Sequence, residues 1–244
     1  DSVEALDELI AEEQLDIATD EEDLFLKKLR FLRARSFSAQ KAFDMLKKDT
    51  EMRRDHTKAG LRHESATEVL QCEPAVIYNH FPTWVQGFDN ECRPIAYRNF
   101  GDKFEIWNIL KITSMENLLR FHAWEGEQAL RIMREKSEAT GYNIETFVVI
   151  IDAKGWHAGL ATSDAFSYIK GMAATDSDHY PERLGRLIVI NAPFALSFAW
   201  RIIKRFLDDV TRNKIQILSG PADWEPVMQS FIDRDQIPEM YGGT

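Results

Sequence analysis

The sequence predicts an α/β protein with a mostly parallel sheet, preceded by a small all-helical unit. Three short runs centre on β-branched residues, at 147–151, 186–191 and 214–219, and helical segments separate them. Such runs are typical of buried strands, and the helices between them imply crossover connections and parallel pairing. Ahead of these runs, residues 24–80 show only helical periodicity, which predicts the separate helical unit.

The chain opens with an acidic segment, residues 1–23, which contains eleven Asp and Glu residues and no Lys or Arg. Elsewhere acidic and basic residues nearly balance, so the formal net charge of −10 belongs to this segment. We expect a solvated, partly helical leader that precedes the helical unit. A neutral body without a basic run argues against nucleic acid as a partner.

Four helices are predicted within the helical unit. In Leu24–Arg35 the apolar residues recur at helical spacing, and Ser38 fits the N-cap of a second helix that ends near His56. Two shorter helices are expected near Ser65–Gln71 and Pro74–His80. The unit therefore ends close to Pro82, where the pattern changes.

Strands alternate with helices after this point, which places a second domain at residues 81–244. Its first strand alternates apolar and polar residues and begins with a proline, as edge strands do. The predicted elements are a strand at 93–100, a helix at 113–138, a strand at 147–151, a helix at 160–174, a strand at 186–191, a helix at 194–208, a strand at 214–219 and a helix at 224–232.

Residues 194–208 have the pattern of a helix that is apolar on nearly every face. Its polar residues from Arg201 onward are Arg201, Lys204, Arg205 and Asp208, which form one narrow stripe at helical spacing. Such a helix either is buried on most sides or covers something apolar, such as a cavity or a bilayer surface. Both alternatives stay open on the pattern alone, although the segment is too short to span a membrane.

The sequence lacks the common motifs of catalysis, nucleotide binding and metal binding. Asp152 ends a buried strand, where enzymes often place acids, but it also fits a cap of the Lys154–Gly155 turn. Cys72 and Cys92 have no metal spacing, and the six histidines form no pair at ligand spacing. We therefore expect binding rather than catalysis, with no metal and no cofactor other than a bound ligand.

Six short motifs occur in order between residues 24 and 244. They read LRFLRARSF at 29–37, YPERLG at 180–185, INAPF at 190–194, IKRFL at 203–207, VTRNKI at 210–215 and PEMYGGT at 238–244. Their order and spacing resemble the CRAL-TRIO family of lipid-exchange proteins, and the last motif is similar to its supernatant-factor branch. In that branch another domain follows the Gly-Gly pair, so the resemblance implies a further domain, and a protein partner through it, outside this chain.

The resemblance implies the CRAL-TRIO fold, in which the sheet floors a lipid cavity and a mobile gate helix crosses its mouth. The implied cavity wall comprises Phe147, Val149, Ile151, Phe166, Ile169, Met172, Tyr180, Leu184, Leu187 and Phe198. The implied gate comprises Ala195, Ala199, Ile202, Ile203, Phe206 and Leu207, and its membrane-facing basic residues are Arg201, Lys204 and Arg205. Because Arg205 replaces the proline that is usual in the family's gate, we expect a straighter gate.

The resemblance also implies a headgroup site. Family members that bind phosphatidylinositol use positions matched here by Arg35, Glu182, Thr211 and Lys214. Arg and Lys donate charge-assisted hydrogen bonds to a phosphodiester, and Glu accepts from inositol hydroxyls. Ser36 departs from the pattern, because such members often have a second basic residue there. The same residues also fit structural ion pairs at the domain junction.

The predicted function is lipid binding and transfer, with phosphatidylinositol as the first ligand. Phosphatidylcholine fits less well, because Phe147, Val149 and Ile151 would form an apolar wall where its headgroup needs hydrogen bonds. That wall equally suits a tocopherol, retinoid, carotenoid or squalene-like ligand. A lipid-sensing module that presents lipid to a kinase or GTPase is a further alternative. The resemblance implies a cytoplasmic protein that contacts membrane surfaces transiently and acts in membrane trafficking.

Overall fold

The computed structural model describes residues 1–18, 22–55 and 61–244. Its helices are α1 (Ser2–Glu12), α2 (Leu24–Ala34), α3 (Ala39–Asp55), α4 (Ala66–Leu70), α5 (Pro74–His80), α6 (Ile106–Ile109), α7 (Met115–Thr140), α8 (Ser163–His179), α9 (Leu196–Ile203), α10 (Asp209–Asn213) and α11 (Pro221–Gln229). Its strands are β1 (Thr83–Phe88), β2 (Pro94–Asn99), β3 (Phe147–Asp152), β4 (Leu184–Ile190) and β5 (Ile215–Ile217). Acidic residues Asp20 and Glu21 and the expected helix end at His56 lie outside the described residues.

The five strands form one sheet in the order β1-β2-β3-β4-β5. The first two strands pair antiparallel, and the remaining pairs are parallel. Parallel neighbours need long crossovers, which α7, α8 and the segment containing α9 and α10 supply. The predicted α/β fold with a mostly parallel sheet and a preceding helical unit is confirmed.

One face of the sheet is buried against the C-terminal segment. The side chains on this face include Tyr97, Val148, Ile150, Ile188 and Ile190. They pack against α11 and the residues that follow it, among them Trp224, Met228, Ile232, Ile237 and Tyr241. The other face therefore carries the alternate residues of each strand, because successive side chains of a strand point to opposite sides.

The acidic segment is part of the helical unit in the structure. Asp1 caps α1 by accepting hydrogen bonds from Val3 and Glu4, and Leu6 on this helix is completely buried. Leu6 joins a cluster with Ile17, Phe31, Leu32, Ala42, Phe43, Met45 and Leu46. The acidic residues of α1 are exposed on its outer side, so charge composition alone did not reveal that the apolar residues of this amphipathic helix reach a core.

Two further differences from the expected elements concern β1 and the gate. Residues 83–88 form β1, which the sequence did not predict because its apolar residues are interrupted by Gln86 and Gly87. The helix expected over 194–208 is only eight residues long and ends at Ile203. No proline ends it: after Ile203 the backbone N–H groups of Arg205 and Phe206 donate to carbonyls three residues back. Asp208 then adopts an extended backbone and caps α10, accepting a hydrogen bond from the N–H of Thr211.

A buried carboxylate joins the helical unit to the second domain. Glu22 accepts hydrogen bonds from Nε and Nη2 of Arg30 at 2.9 and 2.6 Å, and Nη2 of Arg183 lies 2.9 Å from it. All three side chains are at most 8% exposed. Arg30 also donates to the carbonyl of Pro181 at 3.0 Å. This junction therefore ties the YPERLG motif to α2.

Substitution of Glu22 by Gln should destabilise the protein strongly. The change leaves the buried guanidinium groups of Arg30 and Arg183 without their shared negative charge, which costs about 3–5 kcal/mol in comparable buried pairs. Urea denaturation should show this loss. Glu135→Gln is the matched control, because its partner Arg131 is 3.9 Å away and both side chains are at least 65% exposed; it should change stability by less than about 1 kcal/mol.

The same junction should make stability depend on pH. Burial alone would raise the pKa of Glu22, but the hydrogen bond from Arg30 and the charges of Arg30, Arg183 and Lys27 lower it below its ordinary value of 4.5. The carboxylate therefore contributes stability that is present above pH 4.5 and is lost as the pH falls through the lower folded pKa. Denaturation curves should show a smaller loss over this window for Glu22→Gln than for the unsubstituted protein. An identical loss in both would contradict the assignment.

Candidate functional site

The free face of the sheet floors a cavity of about 770 Å³. Strand pairing arranges ten of its floor residues in two parallel rows. The first row is Val85, Ala96, Val149, Leu187 and Ile215, and the second row is Thr83, Arg98, Ile151, Val189 and Ile217. Eight of the ten side chains are apolar, so the floor suits a hydrophobic ligand.

Helices α7, α8 and α9 form the remaining walls. From α8, Ala165, Phe166, Ile169, Met172 and Ala173 line the cavity. From α9, Leu196, Ala199, Trp200 and Ile203 line it, at i, i+3, i+4 and i+7, so one stripe of this helix faces inward. Phe206 and Leu207 follow the helix and also reach the cavity.

The structure places most of the predicted wall residues together. Nine of them line the cavity: Phe147, Val149, Ile151, Phe166, Ile169, Met172, Tyr180, Leu184 and Leu187. Phe198 is the exception, because it lies on the outer stripe of α9 and is 56% exposed. A helix that is apolar on both sides gives no pattern that separates its inner from its outer stripe.

The predicted gate residues divide between the two sides of α9. Ala199, Ile203, Phe206 and Leu207 line the cavity, whereas Ala195 and Ile202 do not. Ile202 is 42% exposed on the outer side. Leu196 and Trp200 line the cavity but were not predicted, although their spacing from Ala199 and Ile203 could have identified them.

The outer side of α9 combines exposed aromatic and basic residues. Phe194 and Phe198 are 85% and 56% exposed, and their rings meet edge to face with centroids 6.2 Å apart. The guanidinium of Arg201 lies 5.3 Å from the ring centroid of Phe198. Lys204 and Arg205 are exposed on the turn that follows. We define Phe194, Phe198, Arg201, Ile202, Lys204 and Arg205 as the outer gate surface.

The four predicted headgroup residues, Arg35, Glu182, Thr211 and Lys214, all line the same cavity. Nζ of Lys214 lies 3.5 Å from Oε2 of Glu182, and both side chains are partly exposed. The hydroxyl of Thr211 donates to Asp208 at 2.7 Å. Partial burial alone would raise the pKa of Asp208, but the hydrogen bonds from Thr211 and from backbone N–H groups lower it. Glu182, Thr211 and Lys214 therefore bring a carboxylate, a hydroxyl and a cation together where β4 and β5 begin, and Arg35 lines the same cavity.

The backbone at Glu182 adopts a strained conformation that its neighbours hold. Glu182 has a φ of +59°, in the left-handed region that non-glycine residues rarely adopt. The carbonyl of Pro181 before it accepts from Arg30, and Arg183 after it donates to the carbonyl of Glu145 at 3.0 Å. The buried junction with Glu22 thus fixes the position of a predicted headgroup residue.

Asp152 forms a hydrogen-bond network at the carboxyl end of the central strand β3. Its Oδ1 accepts from Nδ2 of Asn191 and from the backbone N–H of Lys154, both at 2.9 Å. Its Oδ2 accepts from the hydroxyl of Tyr241 at 3.1 Å. Burial, followed by the charge and hydrogen bond of Asp152, raises the pKa of Tyr241. Both carboxylate oxygens are engaged in these contacts, and the predicted cap of the Lys154–Gly155 turn is present.

A two-faced sheet whose free side floors a large apolar cavity defines a class of proteins built to enclose a hydrophobic ligand. Family models agree with this architecture. Residues 78–243 match the CRAL/TRIO domain, and residues 3–48 match the CRAL/TRIO N-terminal domain. The chain belongs to the CRAL-TRIO family of lipid-binding and lipid-transfer proteins.

Relatives support the same assignment, and a solved structure shares the fold. The chain is 31% identical over 216 residues to a SEC14 cytosolic factor of Candida glabrata, spanning 88% of this chain and 69% of that protein. It is 31% identical over 218 residues to the Sec14 cytosolic factor of Schizosaccharomyces pombe, spanning 88% and 73%. It is 28% identical to Protein real-time of Anopheles gambiae, spanning 88% of this chain but only 31% of that protein. The crystal structure of Sfh5 shares the fold, with a TM-score of 0.70 at 17% identity over 89% of this chain and 70% of that one.

Filling the cavity floor should reduce ligand binding without unfolding the protein. Val149→Trp places a larger side chain in the existing space. We therefore expect binding of an apolar fluorescent lipid to weaken at least about fivefold, and the free energy of unfolding to change by less than about 1 kcal/mol. Val148 is the matched control, because it is completely buried on the opposite face of the same strand. Val148→Trp should instead cost about 1–3 kcal/mol through overpacking. Equal effects of the two changes on stability would contradict the two-faced sheet.

Proposed function

We propose that this protein extracts one lipid from a membrane, encloses it under α9 and the following turn, and delivers or presents it at another membrane. The observation that carries the proposal is the apolar cavity of about 770 Å³, closed on one side by a short helix that is apolar on both stripes. Apolar burial at roughly 25 cal/mol per Å² offsets the loss of bilayer contacts. The proposed function requires no covalent chemistry.

Phosphatidylinositol is the first proposed ligand. The cluster of Arg35, Glu182, Thr211 and Lys214 offers donors for a phosphodiester and an acceptor for inositol hydroxyls. The ion pair between Lys214 and Glu182 is partly exposed, so a phosphate can replace Glu182 as the partner of Lys214 at low cost. Two similar fungal proteins are named cytosolic factors, which supports an analogous cytosolic site of action here.

The proposed membrane contact is the outer gate surface. Its aromatic and aliphatic residues suit the interfacial region of a bilayer, and its three basic residues suit anionic headgroups, at roughly 1 kcal/mol per charge. The inner stripe of the same helix lines the cavity, so rotation or displacement of α9 on the membrane would open it. Among the described residues, no helix has both the length and the apolar character needed to cross a membrane.

Removal of the headgroup cations should reduce transfer of phosphatidylinositol selectively. Arg35→Ala and Lys214→Ala each remove a charge-assisted hydrogen bond, which predicts about a tenfold loss or more. The measurement is transfer of radiolabelled phosphatidylinositol between donor and acceptor vesicles. Lys170→Ala, an exposed lysine on the outer side of α8, is the control and should leave transfer unchanged. Undiminished transfer by both variants would make these residues structural and favour a neutral hydrophobic ligand.

Acidic substitutions on the outer gate surface should abolish transfer while the fold stays intact. Phe198→Asp with Ile202→Asp places two carboxylates on residues that are 56% and 42% exposed, so the core is not disturbed. Loss of apolar insertion and repulsion by anionic lipids predict a fall in vesicle transfer of at least about tenfold. The control is Tyr142→Asp, at a residue 77% exposed beyond the end of α7. The proposed gate would be refuted by full transfer activity in the double variant.

A further inference from the structure

One charged residue interrupts the apolar floor of the cavity. Among the ten residues of the two floor rows, only Arg98 carries a charge. Its position follows from the alternation of β2: Tyr97 faces the C-terminal core, so Ala96 and Arg98 face the cavity. Burial of a cation in such a wall is expensive unless it is paired, so its contacts indicate a role.

A glutamate of α7 pairs with this arginine across the cavity wall. Nη2 of Arg98 lies 3.0 Å from Oε2 of Glu125, and the two side chains are only 12% and 14% exposed. The hydroxyl of Thr83, which is opposite Arg98 in the sheet register, donates to Oε1 of Glu125 at 2.7 Å. The pair is therefore built into two strands and a helix rather than formed by mobile surface chains.

Arg98 has more hydrogen-bond donors than its pairing with Glu125 uses. A guanidinium has five N–H donors, and within the described ranges Arg98 contacts an acceptor only on Glu125. Arg98, Glu125 and Thr83 all line the cavity, so the remaining N–H donors of Arg98 face the space that a ligand would occupy.

The charge of the pair restricts which ligand groups fit. Arg98 and Glu125 cancel each other, so a phosphate or carboxylate would add an uncompensated buried charge. A neutral hydroxyl fits better, because its oxygen accepts from Arg98 while its hydrogen is donated to Glu125. A neutral carbonyl, which only accepts, would bond to Arg98.

The pair is separate from the predicted headgroup cluster. The apolar row of Val149 and Leu187 lies between them on the floor. Ile217, which shares the row of Arg98, follows Lys214 by three residues, or about 10 Å along β5. Arg98 itself is three strands away, or about 14 Å across the sheet. The floor therefore has a polar group near each end, Lys214 at one and the Arg98–Glu125 pair at the other. Two such groups suit two different classes of lipid.

We infer that the Arg98–Glu125 pair is a second, internal recognition site for neutral lipids that carry a hydroxyl or carbonyl group, such as isoprenoid alcohols. This inference rests on the proposed lipid-carrier function and adds a ligand class to it. A pure hydrocarbon leaves the buried donors of Arg98 without a partner, and the site therefore discriminates against it.

The test compares two pairs of lipids that differ only in the polar group. Purified protein is incubated with phosphatidylcholine vesicles that contain phytol or phytane, an isoprenoid alcohol and the hydrocarbon of the same skeleton. A second set contains diacyl or dialkyl phosphatidylinositol, which differ in their ester carbonyls. Lipid bound to the re-isolated protein is quantified by mass spectrometry for the unsubstituted protein and for Arg98→Met with Glu125→Met. Arg134→Met with Glu138→Met, which removes an exposed pair on the same helix, is the control.

The unsubstituted protein and the control should bind phytol over phytane by roughly tenfold or more, and the apolar double variant should bind both equally. The double variant replaces both charges together, so neither is left buried without its partner. If the double variant does not fold, Arg98→Lys is the second test. Lysine lacks the planar guanidinium fork, so Arg98→Lys should weaken the preference for phytol. A preference for phytol that survives in the variants would overturn the inference. A different result would be that the Arg98 variants lose only a preference for diacyl over dialkyl phosphatidylinositol. That result would assign the site to ester carbonyls and overturn the neutral-lipid class. Binding of none of the four lipids would overturn the carrier function as well.

Discussion

The fold depends on a sheet that is packed directly on one apolar face and borders a cavity on the other. The C-terminal segment packs directly on one face, whereas helices α7, α8 and α9 stand away from the other and leave about 770 Å³ between them. Wall side chains that face this space have no protein atoms packed against them on that side, and their apolar character favours a hydrophobic molecule over water.

The helical unit makes a specific contribution to this site. The buried junction of Glu22, Arg30 and Arg183 holds the residues on either side of the strained backbone at Glu182, and Arg35, which lines the cavity, directly follows α2. The predicted headgroup residues therefore come from both domains, Arg35 from the helical unit and Glu182, Thr211 and Lys214 from the second domain. Helix α9 has one stripe on the cavity and one stripe exposed, which is the arrangement that the proposed gate requires.

The sequence predicted four of the five strands and most helices because period-2 and period-3.6 patterns report which face is buried. Nine of the ten wall residues that the family resemblance implied line the cavity. The sequence did not separate the two stripes of α9, so Phe198 and Ile202 were expected where Leu196 and Trp200 lie. Charge composition hid Leu6, whose burial depends on tertiary packing. Arg98 and Glu125 were missed because they are 27 positions apart, and only the strand register and the approach of α7 bring them together. The headgroup residues were identified from the resemblance to family motifs, and their role stays a prediction.

The central claim is that the cavity holds one lipid, and native mass spectrometry of the purified protein tests it most directly. We predict a species heavier than the 28.2 kDa chain by one lipid mass, with phosphatidylinositol or a hydroxylated neutral lipid recovered on organic extraction. Exposure of the protein to vesicles of the recovered lipid should increase that species. A protein that stays unliganded with every vesicle, or that retains only water-soluble molecules, would contradict the account.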